Sequence, residues 1–256
     1  MDTRQVVARN YSEASENRIH SDEIAQRYGF RGALVPGVAV YGFLTRPIVD
    51  RLGEEWLGHS TSHLRLLKPA YDGDRLTVSL TEQGGELLAQ CVNEEGTLLA
   101  TLESSPGRVS GPEDASMFAG EPKPRGRPEL TWESLTERQP FNAWHCQITE
   151  DANRTFAEQV GDDLPLYRTA AHPHWLLGIA NRALVREYVM PAWIHVGSEI
   201  RFHALVKVAD TLEVQAVPLE KWERKGHQFV KLYVRYRRDG EITTEIFHTA
   251  IFKVAE

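Results

Sequence analysis

A short polar segment near the N-terminus carries residue types that acid–base chemistry needs. It reads Ser15-Glu16-Asn17-Arg18-Ile19-His20 and ends in a histidine just before a predicted helix. Because an unperturbed histidine titrates near physiological pH, His20 is a candidate general base or acid. Asn17 is a candidate for holding either a water molecule or this histidine. Glu16 and Ser15 complete the candidate catalytic set.

A glycine at the start of an apolar helix is the second chemical feature. Gly37 follows a proline and opens the predicted helix Val38–Leu52. The first N–H groups of a helix lack intrahelical partners and favour negative charge, and glycine allows a ligand to approach them closely. Gly37 is therefore a candidate donor to a carbonyl oxygen. We expect Val38, Tyr41 and His63 to line the same binding pocket.

The predicted helix that begins here is apolar nearly all round, as is expected of a helix enclosed by a sheet. Its counterpart in the second half is His174–Tyr188. Gly42 and Gly178 lie within these helices, where glycine costs about 1 kcal/mol relative to alanine, which predicts close packing against strands. Pro47 is expected to kink or interrupt the first helix.

Strand patterns follow the helix in each half, and they are short, apolar on alternate residues and separated by turns. Helices followed by antiparallel meanders favour an α+β fold over a wound parallel sheet. The predicted strands are Thr61–Leu67, Leu76–Thr81, Leu87–Asn93 and Thr97–Ser104, then Glu199–Leu205, Thr211–Pro218, Gln228–Arg237 and Ile242–Val254.

The two halves resemble each other in one register. Residues 15–78 match residues 151–214 without gaps, and Asn17/Asn153, Gly42/Gly178 and His59/His195 are among the identical pairs. We interpret the recurring His59 and His195 as structural. The match resumes at Gly240 only after a longer shift, which predicts a longer hairpin in the second half. The expected organisation is a first unit at 1–103, a linker at 104–129 and a second unit at 130–256.

Two stretches resemble the MaoC-type hydratase/dehydratase family of hot-dog proteins. They are NRIHSDEIAQRYGFRGALVPGVAVYG at 17–42 and LLKPAYDGD at 66–74. The resemblance implies a double hot dog, in which two central helices are each wrapped by an antiparallel sheet and the sheets join edge to edge. Such a joint would hide two strand edges that separate units would expose.

The resemblance also implies roles for particular residues. Asn17 matches the motif asparagine, His20 the catalytic histidine, and Gly37 the glycine whose N–H polarises the thioester carbonyl. Ser15 stands where the family has its catalytic aspartate. Either Glu16 or Glu13 substitutes for that carboxylate, or the activity is reduced or different.

The second half departs from the pattern in the opposite way. Asp151 stands opposite Ser15, but Phe156 stands opposite His20. The segment His172-Pro173-His174 lacks the helix-opening glycine. We discount a dyad between His20 and Asp151, because two-fold packing should place equivalent loops on opposite sides. The sequence thus predicts one site per chain and a structural second half.

The expected function is a hydratase or dehydratase that acts on enoyl or 3-hydroxyacyl thioesters. Coenzyme A or an acyl carrier protein would be part of the substrate, and no metal or other cofactor is implied. One alternative is a thioester hydrolase in which Glu16 activates water. The other is a non-catalytic acyl-thioester-binding or scaffold protein.

Composition excludes several other classes. The 256-residue chain has a net charge of −7 and no basic cluster, so a nucleic-acid partner is not expected. No run approaches 18 apolar residues and the N-terminus lacks an apolar signal segment, so we expect a cytoplasmic protein without a membrane span. Cys91 and Cys146 lack metal-ligand spacing. A homodimer is compatible with these features.

Overall fold

The computed structural model describes residues 2–255. Its strands form one ten-stranded antiparallel sheet. The strand order is β1-β3-β4-β5-β2-β7-β10-β9-β8-β6, so each half of the chain supplies five consecutive strands. The α+β prediction is confirmed. The strands are β1 Asp2–Val7, β2 Ser60–Leu66, β3 Arg75–Gln83, β4 Glu86–Asn93, β5 Leu98–Pro106, β6 Trp144–Gln147, β7 Ile194–Phe202, β8 Thr211–Arg224, β9 His227–Arg238 and β10 Glu241–Lys253.

Six α-helices accompany the sheet in the described part of the chain. None of them, within residues 2–255, is long and apolar enough to cross a membrane. The helices are α1 Asp22–Arg27, α2 Gly37–Leu52, α3 Glu54–Gly58, α4 Glu150–Gln159, α5 Pro173–Asn181 and α6 Ala183–Glu187.

The two five-stranded units join along β2 and β7, which pair antiparallel. His63 lies opposite Glu199, Thr61 opposite Arg201 and Arg65 opposite Gly197. His63 and Glu199 are also equivalent positions in the internal repeat, so the pairing of β2 with β7 is symmetric about this pair. The seam confirms the predicted edge-to-edge junction and satisfies one strand edge of each unit.

The central helices differ from the prediction in where they break. α2 runs without interruption through Pro47. A proline removes one N–H and crowds one carbonyl of the preceding turn, and this helix tolerates that loss. The counterpart helix breaks instead at Arg182, between α5 and α6. The predicted interruption is therefore in the other half of the molecule, directly after Asn181.

Gly42 packs against the second half rather than against strands. A Cβ at Gly42 would lie 2.9 Å from Val160 Cγ1 and 3.2 Å from His174 Cβ. At Gly178 the nearest atom to such a Cβ is Phe156 Cε1, at 3.2 Å. The glycines thus provide the expected close approach, but their neighbours are helical residues and the segment after α4. Gly42 lets α2 pack closely on α5, whereas Gly178 makes room for the Phe156 ring of α4.

The segment predicted as a linker crosses the outer face of the second unit. The Phe118 ring lies 5.5 Å from the Tyr233 ring, and the Arg235 guanidinium lies 4.0 Å above Phe118. Glu113 forms an ion pair with Arg201 at 2.8 Å. These contacts dock the segment on the sheet, although its composition resembles that of a linker.

The hairpin between β8 and β9 is longer than its counterpart between β3 and β4, as the repeat predicts. Near its tip, Trp222 stacks on Phe229 with ring centroids 5.2 Å apart. The backbone N–H of Ala255 donates to His227 Nδ1 at 2.9 Å, so the C-terminal segment holds the tip in place. This arrangement brings His227 to the cavity described next.

Candidate functional site

A cavity of about 210 Å³ lies between the two halves at the N-terminal end of α2. Both halves supply its walls, and apolar residues dominate them, as is typical of small-molecule sites. The lining residues are Asn17, Ile19, His20, Phe30, Leu34, Val35, Pro36, Gly37, Val40 and residues 66–70 of the first half, with Asn181, residues 193–196, His227 and Ile251 of the second.

His20 is held in a defined protonation pattern at this cavity. Its Nδ1 lies 2.7 Å from the carbonyl oxygen of Leu34, so Nδ1 carries the proton and donates it there. Nε2 then carries no proton, and its lone pair accepts a hydrogen bond from Asn17 Nδ2 at 3.3 Å. Burial lowers the pKa of His20, which keeps the ring neutral at neutral pH. The ring is thus arranged as a base.

Asn17 connects this segment to the second half. It is 7% exposed, its Oδ1 accepts the Trp193 N–H at 3.1 Å, and its Nδ2 donates to the Trp193 carbonyl at 2.9 Å. Both Nδ2 protons are therefore engaged, one by Trp193 and one by His20. Of the two roles predicted for Asn17, the geometry supports holding the histidine rather than holding water.

Gly37 is the first residue of α2 and lies at the cavity wall. A Cβ at this position would collide with Leu66 Cδ1 and would lie 3.1 Å from His195 Nδ1. Packing therefore favours glycine here, because a side chain would displace Leu66 and crowd His195. At the start of α2, the N–H groups of Ala39 and Val40 donate to the Pro36 carbonyl, whereas those of Gly37 and Val38 precede the first bond of the helix.

The structure does not bring the predicted carboxylate to the cavity. Glu16 is exposed, and Arg127 binds its carboxylate at 2.6 Å and lowers its pKa. Glu13 is also exposed. Ser15 Oγ donates to the Asn17 carbonyl at 3.3 Å and is not among the lining residues. Within residues 2–255, the wall of this cavity contains no aspartate or glutamate.

Three of the predicted binding residues also lie away from the cavity. Val38 is buried in the core, where α2 faces the sheet rather than the wall. Tyr41 is fully buried beside the second half, and its hydroxyl has no hydrogen-bond partner within residues 2–255. The side chain of His63 is 51% exposed at the seam, with Nδ1 3.9 Å from Glu199 Oε2. Val40, one turn into α2, lines the cavity instead.

The second half contributes a histidine that the repeat led us to interpret as purely structural. His195 lines the cavity, and its Nε2 lies 2.9 Å from Ser198 Oγ. Ser198 Oγ lies 3.1 Å from His248 Nδ1. Burial lowers the pKa of His195 to about 3 and that of His248 well below its usual value. The sequence signals for this cluster were the recurrence of His195, opposite His59, and of Ser198, opposite Ser62.

The equivalent region of the second half is filled by its own side chains. Phe156, opposite His20 in the repeat, packs on His174 with ring centroids 4.9 Å apart. His172 Nδ1 accepts the N–H of His174, so the helix start is capped internally. The Asp151 side chain is 91% exposed and pairs with Arg154. The structure therefore offers no dyad between Asp151 and His20.

No metal centre is evident in the described residues. Among residues 2–255, no group of three or more histidine, cysteine, aspartate or glutamate side chains could hold a metal ion. The polar groups of the cavity are instead imidazoles, amides, one ammonium at Lys68 and the backbone of α2. This set suits hydrogen bonding and proton transfer.

Sequence comparison gives no family assignment. No protein-family model matches the chain. No curated protein matches it either.

Structural comparison is informative about the fold. A MaoC-like dehydratase superposes with a TM-score of 0.60 at 12% identity, over 97% of each chain. A conserved hypothetical protein from Mycobacterium tuberculosis, described as having a double hot-dog fold, superposes with a TM-score of 0.63 at 12% identity, over 98% of this chain and 95% of that one. A Lactobacillus plantarum protein named as an oleoyl thioesterase gives 0.57 at 12% identity, over 99% and 96%. The chain therefore has the double hot-dog fold, which it shares with a MaoC-like dehydratase.

Proposed function

We propose that this protein adds water to enoyl thioesters, or removes it from 3-hydroxyacyl thioesters, carried by coenzyme A or an acyl carrier protein. One observation carries the proposal: the unprotonated Nε2 of His20, on which Asn17 holds a long hydrogen bond, and the N-terminus of α2 at Gly37 share one cavity. A base and an oxyanion-stabilising helix terminus are the two groups that this addition needs.

The reaction assigns one role to each group. His20 Nε2 takes a proton from water while the resulting hydroxide adds to C3 of the enoyl thioester. The electron pair of the double bond moves toward the carbonyl oxygen, where N–H groups of the first turn of α2 stabilise the enolate. The protonated His20 then delivers its proton to C2. Dehydration is the same sequence reversed, and the chemistry requires no redox step.

A thioester hydrolase is less well supported. In the version considered from the sequence, Glu16 activates water for attack on the carbonyl carbon. Glu16 instead binds Arg127 on the surface. The fold shared with a protein named as a thioesterase says nothing about chemistry, because one fold hosts many functions.

A non-catalytic acyl-thioester-binding protein is the second candidate. The specific observation in its favour is a cavity wall that contains no carboxylate among residues 2–255. A carboxylate would stabilise the imidazolium that forms when His20 accepts a proton, and burial disfavours that charge. The binding protein and the enzyme would use the same pocket, and they differ only in whether the bound thioester is converted.

A paired assay separates the three readings. Purified protein is incubated with crotonyl-CoA and with 3-hydroxybutyryl-CoA, and enoyl absorbance and free thiol are followed together. Loss or gain of enoyl absorbance without thiol release supports the proposal. Thiol release would indicate a hydrolase instead. Acyl-CoA binding by calorimetry without either change would favour the binding protein.

A further inference from the structure

A chain of three buried polar side chains runs from the core of the second half to the cavity. His195 and Ser198 are on β7, and His248 is opposite Ser198 on β10. Ser198 Oγ lies 2.9 Å from His195 Nε2 and 3.1 Å from His248 Nδ1, and the two rings stack at 4.2 Å. Only His195 of the three reaches the cavity wall.

The fold does not require this cluster. In the first half, Ser62 is equivalent to Ser198, and it pairs with Ser104 at 2.8 Å. Trp56 Nε1 completes that pair by donating to Ser104 Oγ. In the second half, by contrast, His195 Nδ1 and His248 Nε2 are buried without a hydrogen-bond partner in residues 2–255. Buried unpaired polar atoms lower stability, so they point to a function.

The unpaired Nδ1 of His195 lies against the helix terminus that the proposed reaction uses. A Cβ on Gly37 would be 3.1 Å from this atom, and Leu66 Cδ1 covers the same spot. A carbonyl oxygen can therefore reach Nδ1 only after the Leu66 side chain moves aside. His195 is itself only 7% exposed, so its ring position is fixed by packing.

Ser198 couples the tautomers of the two histidines, because its single hydroxyl proton can be donated to only one of them. Ser198 has one hydroxyl proton and lies between two histidine nitrogens. If His248 Nδ1 donates to Ser198 and Ser198 donates to His195 Nε2, then His195 Nδ1 carries its proton toward Gly37. A ring whose pKa is lowered to about 3 by burial stays neutral, and a neutral imidazole donates a hydrogen bond without taking part in proton transfer.

We propose that His195 of the second half donates its Nδ1–H to the carbonyl oxygen of the bound thioester, beside the first turn of α2. Ser198 and His248 hold the required tautomer and do not touch the ligand. The inference rests on the proposed function, since it names a second donor to the same carbonyl. The second half thus supplies chemistry to the site.

Two substitutions of similar size separate the two ring nitrogens. In His195→Asn, the side-chain amide can place an N–H close to the position of Nδ1. In His195→Gln, the longer side chain places its N–H close to the position of Nε2. Both variants keep a polar group in the cluster, and thermal unfolding shows whether each is folded.

The first readout is the carbonyl stretch of bound [1-¹³C]butyryl-CoA, a saturated thioester that cannot be hydrated. Isotope-edited infrared spectra should show a lower carbonyl frequency for the wild-type complex than for His195→Gln, with His195→Asn close to the wild type. The same frequency in all three complexes would overturn the role of His195 and leave the proposed function standing. Absence of butyryl-CoA binding to the wild type would overturn both.

Kinetics and protonation give two further readouts. Removing one oxyanion donor typically lowers kcat by about 100- to 1000-fold, so His195→Gln should show that loss on crotonyl-CoA with little change in KM. His195→Asn should recover most of it. In the ligand-free protein, ¹⁵N NMR should find the His195 proton on Nδ1, and Ser198→Ala should disturb that preference. A proton on Nε2 in the wild type would overturn the proposal without any assay of turnover.

Discussion

The two halves place an asparagine at equivalent positions and use it for different purposes. Asn153 is fully buried and binds only its own half: its Nδ2 donates to the carbonyls of Tyr167 and Ala170, and its Oδ1 accepts the His172 N–H. Asn17 reaches across to the second half and also holds His20. The asparagine thus fixes the backbone in both halves, and only in the first half does it also contact a candidate catalytic histidine.

The space beside each asparagine shows the same divergence. In the first half, the segment before α1 is a single turn, and its histidine faces a cavity. In the second half, the equivalent residues form the longer helix α4, and Phe156 fills the corresponding space against Gly178 and His174. One half has kept an opening and the other has closed it with an aromatic ring.

The largest expected effect comes from removing the base. His20→Ala should lower kcat on crotonyl-CoA by about 10²- to 10⁴-fold, the usual contribution of general acid–base catalysis. Steady-state hydration rates provide the measurement. His63→Ala is the matched control, because this exposed histidine lies at the seam outside the cavity. Unchanged turnover in His20→Ala would remove the proposed catalyst.

The next effect tests the buried histidines of the second half as a group. Burial lowers the pKa of four histidines of the second half, His172, His174, His195 and His248, and of His20 in the first half. The unfolded chain therefore binds more protons than the native chain once the pH falls below the unfolded value of about 6.5. Stability should be lost on acidification, by up to about 1.4 kcal/mol per pH unit for each histidine.

Urea unfolding between about pH 7 and about pH 5 measures this dependence. His174→Phe should flatten the slope, because it removes a ring whose pKa is lowered to about 3. His63→Gln, at an exposed side chain, is the matched control. A free energy of unfolding that is the same across this range would contradict the assigned burial.

The asparagine pair gives a smaller and sharper contrast. Asn153→Ala should lower the free energy of unfolding by about 2–3 kcal/mol, because buried backbone groups lose their partners, while kcat stays near the wild-type value. Asn17→Ala should destabilise to a similar extent and also lower kcat by about tenfold, since His20 loses an orienting bond. Denaturant unfolding gives the change in stability of the two variants, and steady-state hydration rates give the change in kcat. A wild-type kcat in Asn17→Ala would show that Asn17 has a structural role only.

The smallest effect is expected at the exposed acid. Glu16→Gln removes a surface ion pair with Arg127 and should change neither kcat nor the unfolding midpoint measurably. A large loss of turnover would mean that Glu16 reaches the substrate after all. That result would restore the carboxylate that the MaoC-type resemblance implies for this region.

Local patterns in the sequence were sufficient for most of the fold. Alternating apolar residues and turn signals located eight of the ten strands. Most bounds agree within a few residues, but β7 starts at Ile194, five residues before the predicted start, and β8 ends at Arg224, six residues after the predicted end. The short edge strands β1 and β6 were not predicted, because four to six residues carry little periodic signal. Pro47 misled the prediction because tertiary packing outweighs the local cost of a proline in the helix.

The site was only partly predictable, because it is assembled across the seam. His20, Asn17 and Gly37 are close in sequence and belong to one motif. Trp193 and His195 come from the other half, and nothing local in the sequence shows that they approach the same cavity. Tyr41 and Val38 were misplaced because a helix enclosed on all sides gives no periodic sign of which face meets a ligand.

Because the two units are joined in one polypeptide, the residues at equivalent positions can be substituted separately. In an assembly of two identical chains, every substitution occurs twice, so a residue that helps one copy must also be tolerated in the other. Here His20 and Phe156 occupy matching positions in one polypeptide and change independently. Each position along the β2–β7 seam can thus be asymmetric, as at His63 and Glu199. One half is free to specialise as the wall of a pocket that the other half opens.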